Sequence, residues 1–411
     1  MLCGMPQPDG PLARLRRGHE SLVLGLLRKH GPLSRAELGR LSGLSRTTLY
    51  DIVAALVDSA AVATAAPATD ASGKRGRGRP VEKLTLNPEA GQALGIDFAR
   101  RAVHVAAVNV AHEVIGSASE AHAPDLPWEE RIDLAERLVG TLGRRGQGAL
   151  RLSSLSAIGV GVVGPVGAPG EEATRAGDSD GLPGLLAKRF GVPVLVDNNT
   201  RLAALAEATW GAAAGDEDVL YLKMSYGVGG GLIVGGSLHR GAYGLSGEFG
   251  HITVEPGSDG RPCECGGTGC LETVASAGAV LEAARDAGCD AADLPSLIAA
   301  VEAGDAPARG VFDRVGTAVG EVLAATCNAI GPGVIVLGGE VAGAGAALLD
   351  PVERALTEHI QPIARHRVDL RRAAIDESGG ALGAIALVLH ESPLLSRYPA
   401  ASPDSEVEDQ S

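Results

Sequence analysis

Three of the six cysteines fall within eight residues, Cys263-Glu264-Cys265-Gly266-Gly267-Thr268-Gly269-Cys270, and His251 stands twelve residues before the first. Three thiolates and one imidazole complete a tetrahedral set with no open position, which suits a structural zinc ion rather than a catalytic one. The glycines between the cysteines let so short a loop turn around a single ion. A disulfide competes for the same thiols but is the weaker reading in a reducing cytosol. Zn2+ held by His251, Cys263, Cys265 and Cys270 is the expected cofactor. Cys3, Cys289 and Cys327 lack such neighbours and read as one terminal residue and two core thiols.

A second set of candidate residues lies near the N-terminus. The 411-residue chain carries a net charge of -14, which taken whole argues against a polyanionic partner. The charge is unevenly spread: residues 1–83 hold thirteen Lys/Arg against seven Asp/Glu, a balance of +6, and the remainder stands at -20. A small basic head is thus joined to a large acidic body, and the body would leave the head as the docking surface for DNA.

The elements that position this head follow from spacing. Leu22, Val23, Leu26 and Leu27 form one apolar helical face, ended by Gly31-Pro32. Ser34-Arg35-Ala36-Glu37 is a capping box that opens a second helix. After the turn Ser42-Gly43-Leu44, Ser45 caps a third helix whose Leu49, Ile52, Val53 and Leu56 recur at helical spacing. Burying those four leaves Arg46, Thr47, Tyr50 and Asp51 facing out. Helix, turn, helix with polar residues at the start of the second helix is a helix-turn-helix, whose readers meet base edges in the major groove. Ser45, Arg46, Thr47, Thr48 and Tyr50 are the candidate DNA contacts. Downstream, Lys74-Arg75-Gly76-Arg77-Gly78-Arg79-Pro80 suits a wing or arm, with Arg77 and Arg79 reaching phosphates or a narrow minor groove. A three-helix protein-interaction bundle remains the alternative for the helices, and a merely solvated charge run the alternative for the arm.

Beyond the head, apolar runs at Ala157–Val163, Val192–Val196, Val219–Leu222 and Val334–Leu337 read as buried strands. Glu129–Leu142, Arg201–Trp210 and Ala318–Ile330 read as helices. The alternation predicts an α/β body of two lobes. The expected division is a winged helix-turn-helix over 1–83, a first lobe over 84–210, and a second lobe over 211–390 carrying the cysteine loop. The last helix is free to return to the first lobe, and 391–411 form an acidic tail. No apolar run of signal or membrane length occurs, so the expectation is a soluble cytoplasmic protein with no membrane partner.

Glu248-x-x-His251 followed by Cys-x-Cys-Gly-x-x-Gly-Cys-Leu-Glu272 resembles the signature of the ROK family (repressor, open reading frame, kinase), which comprises sugar kinases and sugar-responsive repressors of the actin-like ATPase fold. The resemblance extends over residues 19–390. It implies that Gly164 belongs to a sugar-lobe loop, Gly159-Val160-Gly161-Val162-Val163-Gly164-Pro165, in which Val163 stands where proline is usual. It implies that Asn198 holds sugar hydroxyls and that Asn199 replaces the catalytic base, an aspartate in the kinases. It further implies sugar contacts from Glu248, His251 and Glu272. His251 would then ligate zinc through one ring nitrogen and offer the other to a hydroxyl.

The same resemblance implies loss of catalysis. An amide at 199 cannot take up a proton at neutral pH. The first phosphate loop of kinase members reads Asp-x-Gly-Gly-Thr-Lys, whereas here the text is Asp97-Phe98-Ala99-Arg100-Arg101-Ala102. The second reads Ser225-Tyr226-Gly227, with Ser and Tyr in place of the kinase Gly and Thr. The expected function is a non-enzymatic transcription repressor that binds operator DNA as a dimer or higher homo-oligomer and is released by a sugar. The alternative is an ATP-dependent sugar kinase with a fused DNA-binding head.

Overall fold

The computed structural model describes residues 11–58, 61–65, 82–87, 92–109, 113–142, 150, 155–166, 181–257 and 260–391. The basic run with Arg77 and Arg79, Cys3 and the tail beyond Glu391 lie outside them.

The head comprises α1 (Pro11–His30), β1 (Leu33–Ser34), α2 (Arg35–Ser42), α3 (Arg46–Asp58), β2 (Val62–Ala65) and β3 (Lys83–Leu86). The capping box forms as expected: Ser34 Oγ accepts from the Glu37 N–H at 3.3 Å, and the Glu37 carboxylate accepts from the Ser34 N–H at 2.8 Å. Leu49, Ile52, Val53 and Leu56 of α3 are buried against Val23, Leu24 and Leu27 of α1. Leu22 and Leu26, expected inward, are only half buried, because the buried face of α1 is rotated towards Leu24. β3 pairs antiparallel with both β1 and β2, giving sheet order β1-β3-β2 and the element order of a winged helix. The head therefore runs through Leu86, past the boundary expected at 83, because Leu84 and Leu86 are needed to close its core.

The body repeats one topology twice. Its first half holds β4 (Gln92–Phe98), β5 (Ala102–Asn109), β6 (Val114–Ala121), α4 (Trp128–Leu142), β7 (Leu155–Val162), α5 (Leu182–Phe190), β8 (Val194–Asn198) and α6 (Asn199–Trp210). The second half holds β9 (Val219–Met224), β10 (Val228–Val234), β11 (Ser237–His239), α7 (Glu272–Ala275), α8 (Ala277–Asp286), α9 (Leu294–Glu302), α10 (Ala306–Ile330), β12 (Val334–Gly338), α11 (Ala346–His359), β13 (Asp369–Arg372) and α12 (Gly379–Glu391). The sheets run β6-β5-β4-β7-β8 and β11-β10-β9-β12-β13. In each, three antiparallel strands continue into two parallel ones, so the strand order by sequence is third, second, first, fourth, fifth.

Two helices join the lobes. α12 crosses back to pack on β4, β5 and β7 of the first sheet and against α6, while α6 packs on β9 and β10 of the second. The helices meet closely because Gly383 has no side chain: a Cβ there would sit 1.7 Å from the Leu202 carbonyl oxygen. The C-terminal half of α12, with Val388 and Leu389, joins the same buried cluster as the head residues Val23, Leu38 and Leu84. One helix thus runs from between the lobes to the core of the head.

Candidate functional site

The four expected metal ligands converge. One donor atom from each of His251, Cys263, Cys265 and Cys270 lies within 4.8 Å of the others, a cluster that can hold a metal ion. His251 Nδ1 is 3.6 Å from Cys263 Sγ, and the Cys265 and Cys270 sulfurs are 3.7 Å apart. Backbone bonds fold the loop around this point: the Cys263 N–H donates to the Gly267 carbonyl and the Gly269 N–H to that of Arg261. Burial pushes the Cys263 thiol up to about 12, whereas the Gly267 N–H holds the Cys265 thiol below its ordinary value. Cys289 and Cys327 are buried in the core of the second lobe.

The metal cluster borders a cleft of about 950 Å³ between the lobes. Gly164, Asn198, Asn199, Glu248, His251 and Glu272 all line it, together with Arg100, Arg101, His104, Lys223, Tyr226 and Cys265. His251 faces both ways. Its Nδ1 points to the thiols, and its Nε2 lies 3.7 Å from Glu248 Oε2 on the cleft side. Burial pushes the Glu248 carboxyl up, against the pull of His251 and Arg201. Glu272 Oε2 accepts from the Val228 N–H at 2.9 Å, while its Oε1 lies 3.7 Å from Cys263 Sγ, so this carboxylate ties β10 to the metal loop. A Cβ at Gly227 would come within 2.8 Å of Glu272 Oε2 and would have to displace that carboxylate.

Asn198 caps α6. Its Oδ1 accepts from the N–H groups of Thr200 at 2.9 Å and Arg201 at 3.1 Å, and its Nδ2 donates to the Gly164 carbonyl at 2.8 Å. Most of its hydrogen-bonding capacity is therefore committed within the protein. Asn199, 8% exposed, stands beside Asp97. Asp97 is buried at the end of β4 with neither carboxylate oxygen hydrogen-bonded, and burial pushes its pKa up against Lys223 and His104. Burial also lowers His104, its cross-strand neighbour, so neutral imidazole is favoured.

The two turns that resemble phosphate loops touch each other. Arg101, between β4 and β5, stacks over Tyr226, between β9 and β10, with 4.5 Å from guanidinium to ring centre. Arg100 forms an ion pair at 3.6 Å with Glu264 of the metal loop. Sequence reasoning missed these interlobe contacts, since nothing along the chain links residues as far apart as Arg101 and Tyr226, or Arg100 and Glu264. It also missed a buried pair, Asp197 near the end of β8 and Arg201 in the first turn of α6, which the strand-to-helix junction brings together. In the head, Ser45 Oγ accepts from the Thr48 N–H at 3.1 Å, Arg46 and Thr47 are exposed, and Tyr50 is 65% exposed.

Two lobes of identical strand order, joined by helices and enclosing a cleft beside a cysteine-histidine cluster, define a two-lobed α/β body of the actin-like ATPase fold with a winged head. The chain belongs to the ROK family, whose family model matches residues 94–391. It is 24% identical over 91% of its length to the xylose repressor of Bacillus spizizenii, covering 96% of that protein. It is 35% identical to a glucokinase of Halalkalibacterium halodurans over 47% of this chain and 62% of that enzyme, so the chain spans less than two thirds of that relative. Its fold matches the crystal structure of a ROK family transcriptional regulator, a homologue of the Escherichia coli MLC protein. That match has a TM-score of 0.77 and 23% identity, covering 93% of this chain and 98% of the other. Among the described residues no helix is long and apolar enough to cross a membrane.

Proposed function

We propose that this protein is a sugar-responsive transcription repressor: the head binds operator DNA, and a sugar in the interlobe cleft releases it. The observation that carries this reading is the union, on one chain, of an α3 that presents Arg46, Thr47 and Tyr50 to solvent and a cleft with an amide, Asn199, in the place of the kinase base. Likeness to a xylose repressor across 91% of the chain, head included, supports it. Ser45, Arg46, Thr47, Thr48 and Tyr50 are the proposed DNA contacts, with Arg77 and Arg79 as an arm. Gly164, Asn198, Asn199, Glu248, His251 and Glu272 form the proposed effector site. Zn2+ on His251 and the three cysteines acts structurally, holding Glu272 and the His251 ring in register with the cleft. Two copies related by a two-fold axis would place two heads on two half-sites.

A sugar releases DNA only by binding the DNA-incompetent state more tightly, so operator must weaken sugar binding by the same factor. The test is a thermal-shift screen of neutral sugars and sugar phosphates, followed by titration of the best ligand with and without operator. Equal affinity in both cases sinks the release mechanism. The glucokinase likeness favours one second reading, an ATP-dependent sugar kinase. Phosphorylation of a hexose or pentose by the purified protein with ATP would establish it; Asn199 and the Arg101–Tyr226 contact speak against it.

A further inference from the structure

The guanidinium of Arg201 is 1% exposed and spends its donors on three separate segments. Its Nε donates to Asp197 Oδ1 at 2.7 Å, its Nη2 to the Val166 carbonyl at 3.1 Å, and its Nη1 to the Gly244 carbonyl. Asp197, itself 1% exposed, also accepts from Arg240 Nε at 2.5 Å through Oδ2 and from the Asn198 N–H at 2.7 Å through Oδ1. Val166 lies two residues after Gly164 in the segment that follows β7. Asp197 precedes Asn198 and Asn199. Gly244 and Arg240 belong to the second-lobe loop that leads into Glu248.

Asp197 faces two arginines, Arg201 buried with it and Arg240 partly exposed at the rim. A buried ion pair adds little stability over apolar packing of the same volume. Packing therefore does not explain why an arginine stands in the first turn of α6, where its neighbours Leu202, Ala203 and Ala204 fill the interlobe core with apolar groups. What arginine alone supplies is a rigid fork that can hold two carbonyls and a carboxylate from three segments at fixed angles. Lysine offers the charge without that geometry.

We infer that Arg201 is the positioning residue of the cleft: by holding Val166, Asp197 and Gly244 together it sets the spacing between Gly164, Asn198 and Glu248, and so selects among sugars by shape. This rests on the cleft being the effector site. Arg201 itself is buried and is not among the residues that line the cleft. A shift of a few tenths of an ångström between the three segments would affect sugars differing at one hydroxyl unequally, whereas general loosening would weaken them all alike.

The experiment uses the full chain as wild type, Arg201→Lys and Arg240→Gln, titrated calorimetrically with D-glucose, D-galactose, D-xylose and N-acetyl-D-glucosamine. Operator affinity is measured in parallel on a duplex selected from random DNA. The expected result for Arg201→Lys is a tenfold or greater loss of affinity for the best sugar and an altered ranking among the four, with operator affinity within about threefold of wild type. Should Arg201→Lys fail to fold, Arg240→Gln, at a side chain 32% exposed, gives the same readout, with a loss of severalfold and a shifted ranking. Folded variants with wild-type sugar affinity and ranking overturn the positioning role while leaving the effector reading intact. A wild-type protein that binds none of the sugars overturns both.

Discussion

The Arg101 guanidinium lies 4.5 Å from the centre of the Tyr226 ring, and its Nη1 donates to the Tyr226 hydroxyl at 3.3 Å. The contact joins the two turns that resemble the kinase phosphate loops, with a side chain from each lobe. A half-exposed cation–π pair contributes about 0.5–1 kcal/mol. Tyr226→Ala should lower the melting temperature by about 2 °C, measured calorimetrically. A melting temperature equal to that of wild type would mean that the pair does not hold the lobes.

His251 divides its two nitrogens between the thiol cluster and Glu248, so the candidate metal cluster and the cleft share one side chain. Cys265→Ser should bring bound zinc well below one equivalent and abolish the thermal shift caused by sugar, while operator binding persists because the cysteine loop borders the second-lobe core and not the buried cluster that holds the head. A normal sugar response in a zinc-free Cys265→Ser protein would separate the two sites. Metal uptake must also expel thiol protons, above all from Cys263, whose pKa without metal is pushed up to about 12. Affinity should therefore fall as pH falls, by roughly tenfold per pH unit for each proton released, in competition with a chromophoric chelator.

The head was legible in the sequence because its signals are local. The capping box at Ser34, the four buried residues of α3 and the cap at Ser45 each arise within one or two helical turns, and each is present. The metal cluster was legible for the same reason. The fate of α12 was left open, because its destination is decided by contacts with strands nearly 300 residues earlier. The boundary expected at 83 falls inside β3, since Leu84–Leu86 follows the basic run and reads as the start of the body until Lys83–Leu86 pairs with β1 and β2. The cleft was legible as a set of residue types but not as a geometry. Nothing along the chain indicated that Asn198 would spend its amide on α6 and Gly164, or that Asp97 would be buried without a hydrogen-bond partner.

Asn198 gives two separable effects. Asn198→Ala removes the α6 cap and should cost about 1 kcal/mol of stability. Asn198→Asp keeps an acceptor for the Thr200 and Arg201 N–H groups but loses the donor to Gly164. Its melting temperature should stay close to that of wild type while sugar affinity falls at least tenfold. If the aspartate variant binds sugar normally, the Asn198–Gly164 link is not part of effector recognition.

Asp97 should make stability depend on pH in an unusual direction. Its folded pKa is raised above the ordinary 3.8 by burial, against the opposing pull of Lys223 and His104. In strong acid both folded and unfolded chains hold the proton and the group has no net effect. As pH rises through the ordinary value the unfolded chain ionises first, so the folded state loses stability from this group. Asp97→Asn removes that loss. The variant should melt above wild type at pH 7, with the advantage shrinking as pH falls towards 4, in unfolding scans across that range. A constant difference would assign the effect to packing instead.

In α3, the proposed DNA-reading residues and the buried core residues fall on opposite faces and can be removed one at a time. Arg46 is exposed at the first turn and Leu49, three residues on, is 5% exposed in the head core. Arg46→Ala should leave melting unchanged and cost about 1–3 kcal/mol of discrimination at one operator position, flattening preference rather than abolishing DNA binding. Leu49→Ala should instead cost about 2–5 kcal/mol of head stability, since it opens a cavity against α1. It should weaken all duplexes alike, because the whole head loosens. Binding selections on randomised duplex report the first effect and hydrogen exchange over residues 19–58 the second. If Arg46→Ala loses no discrimination, the outward face of α3 is not the reading surface, and the head reverts to a protein-interaction bundle.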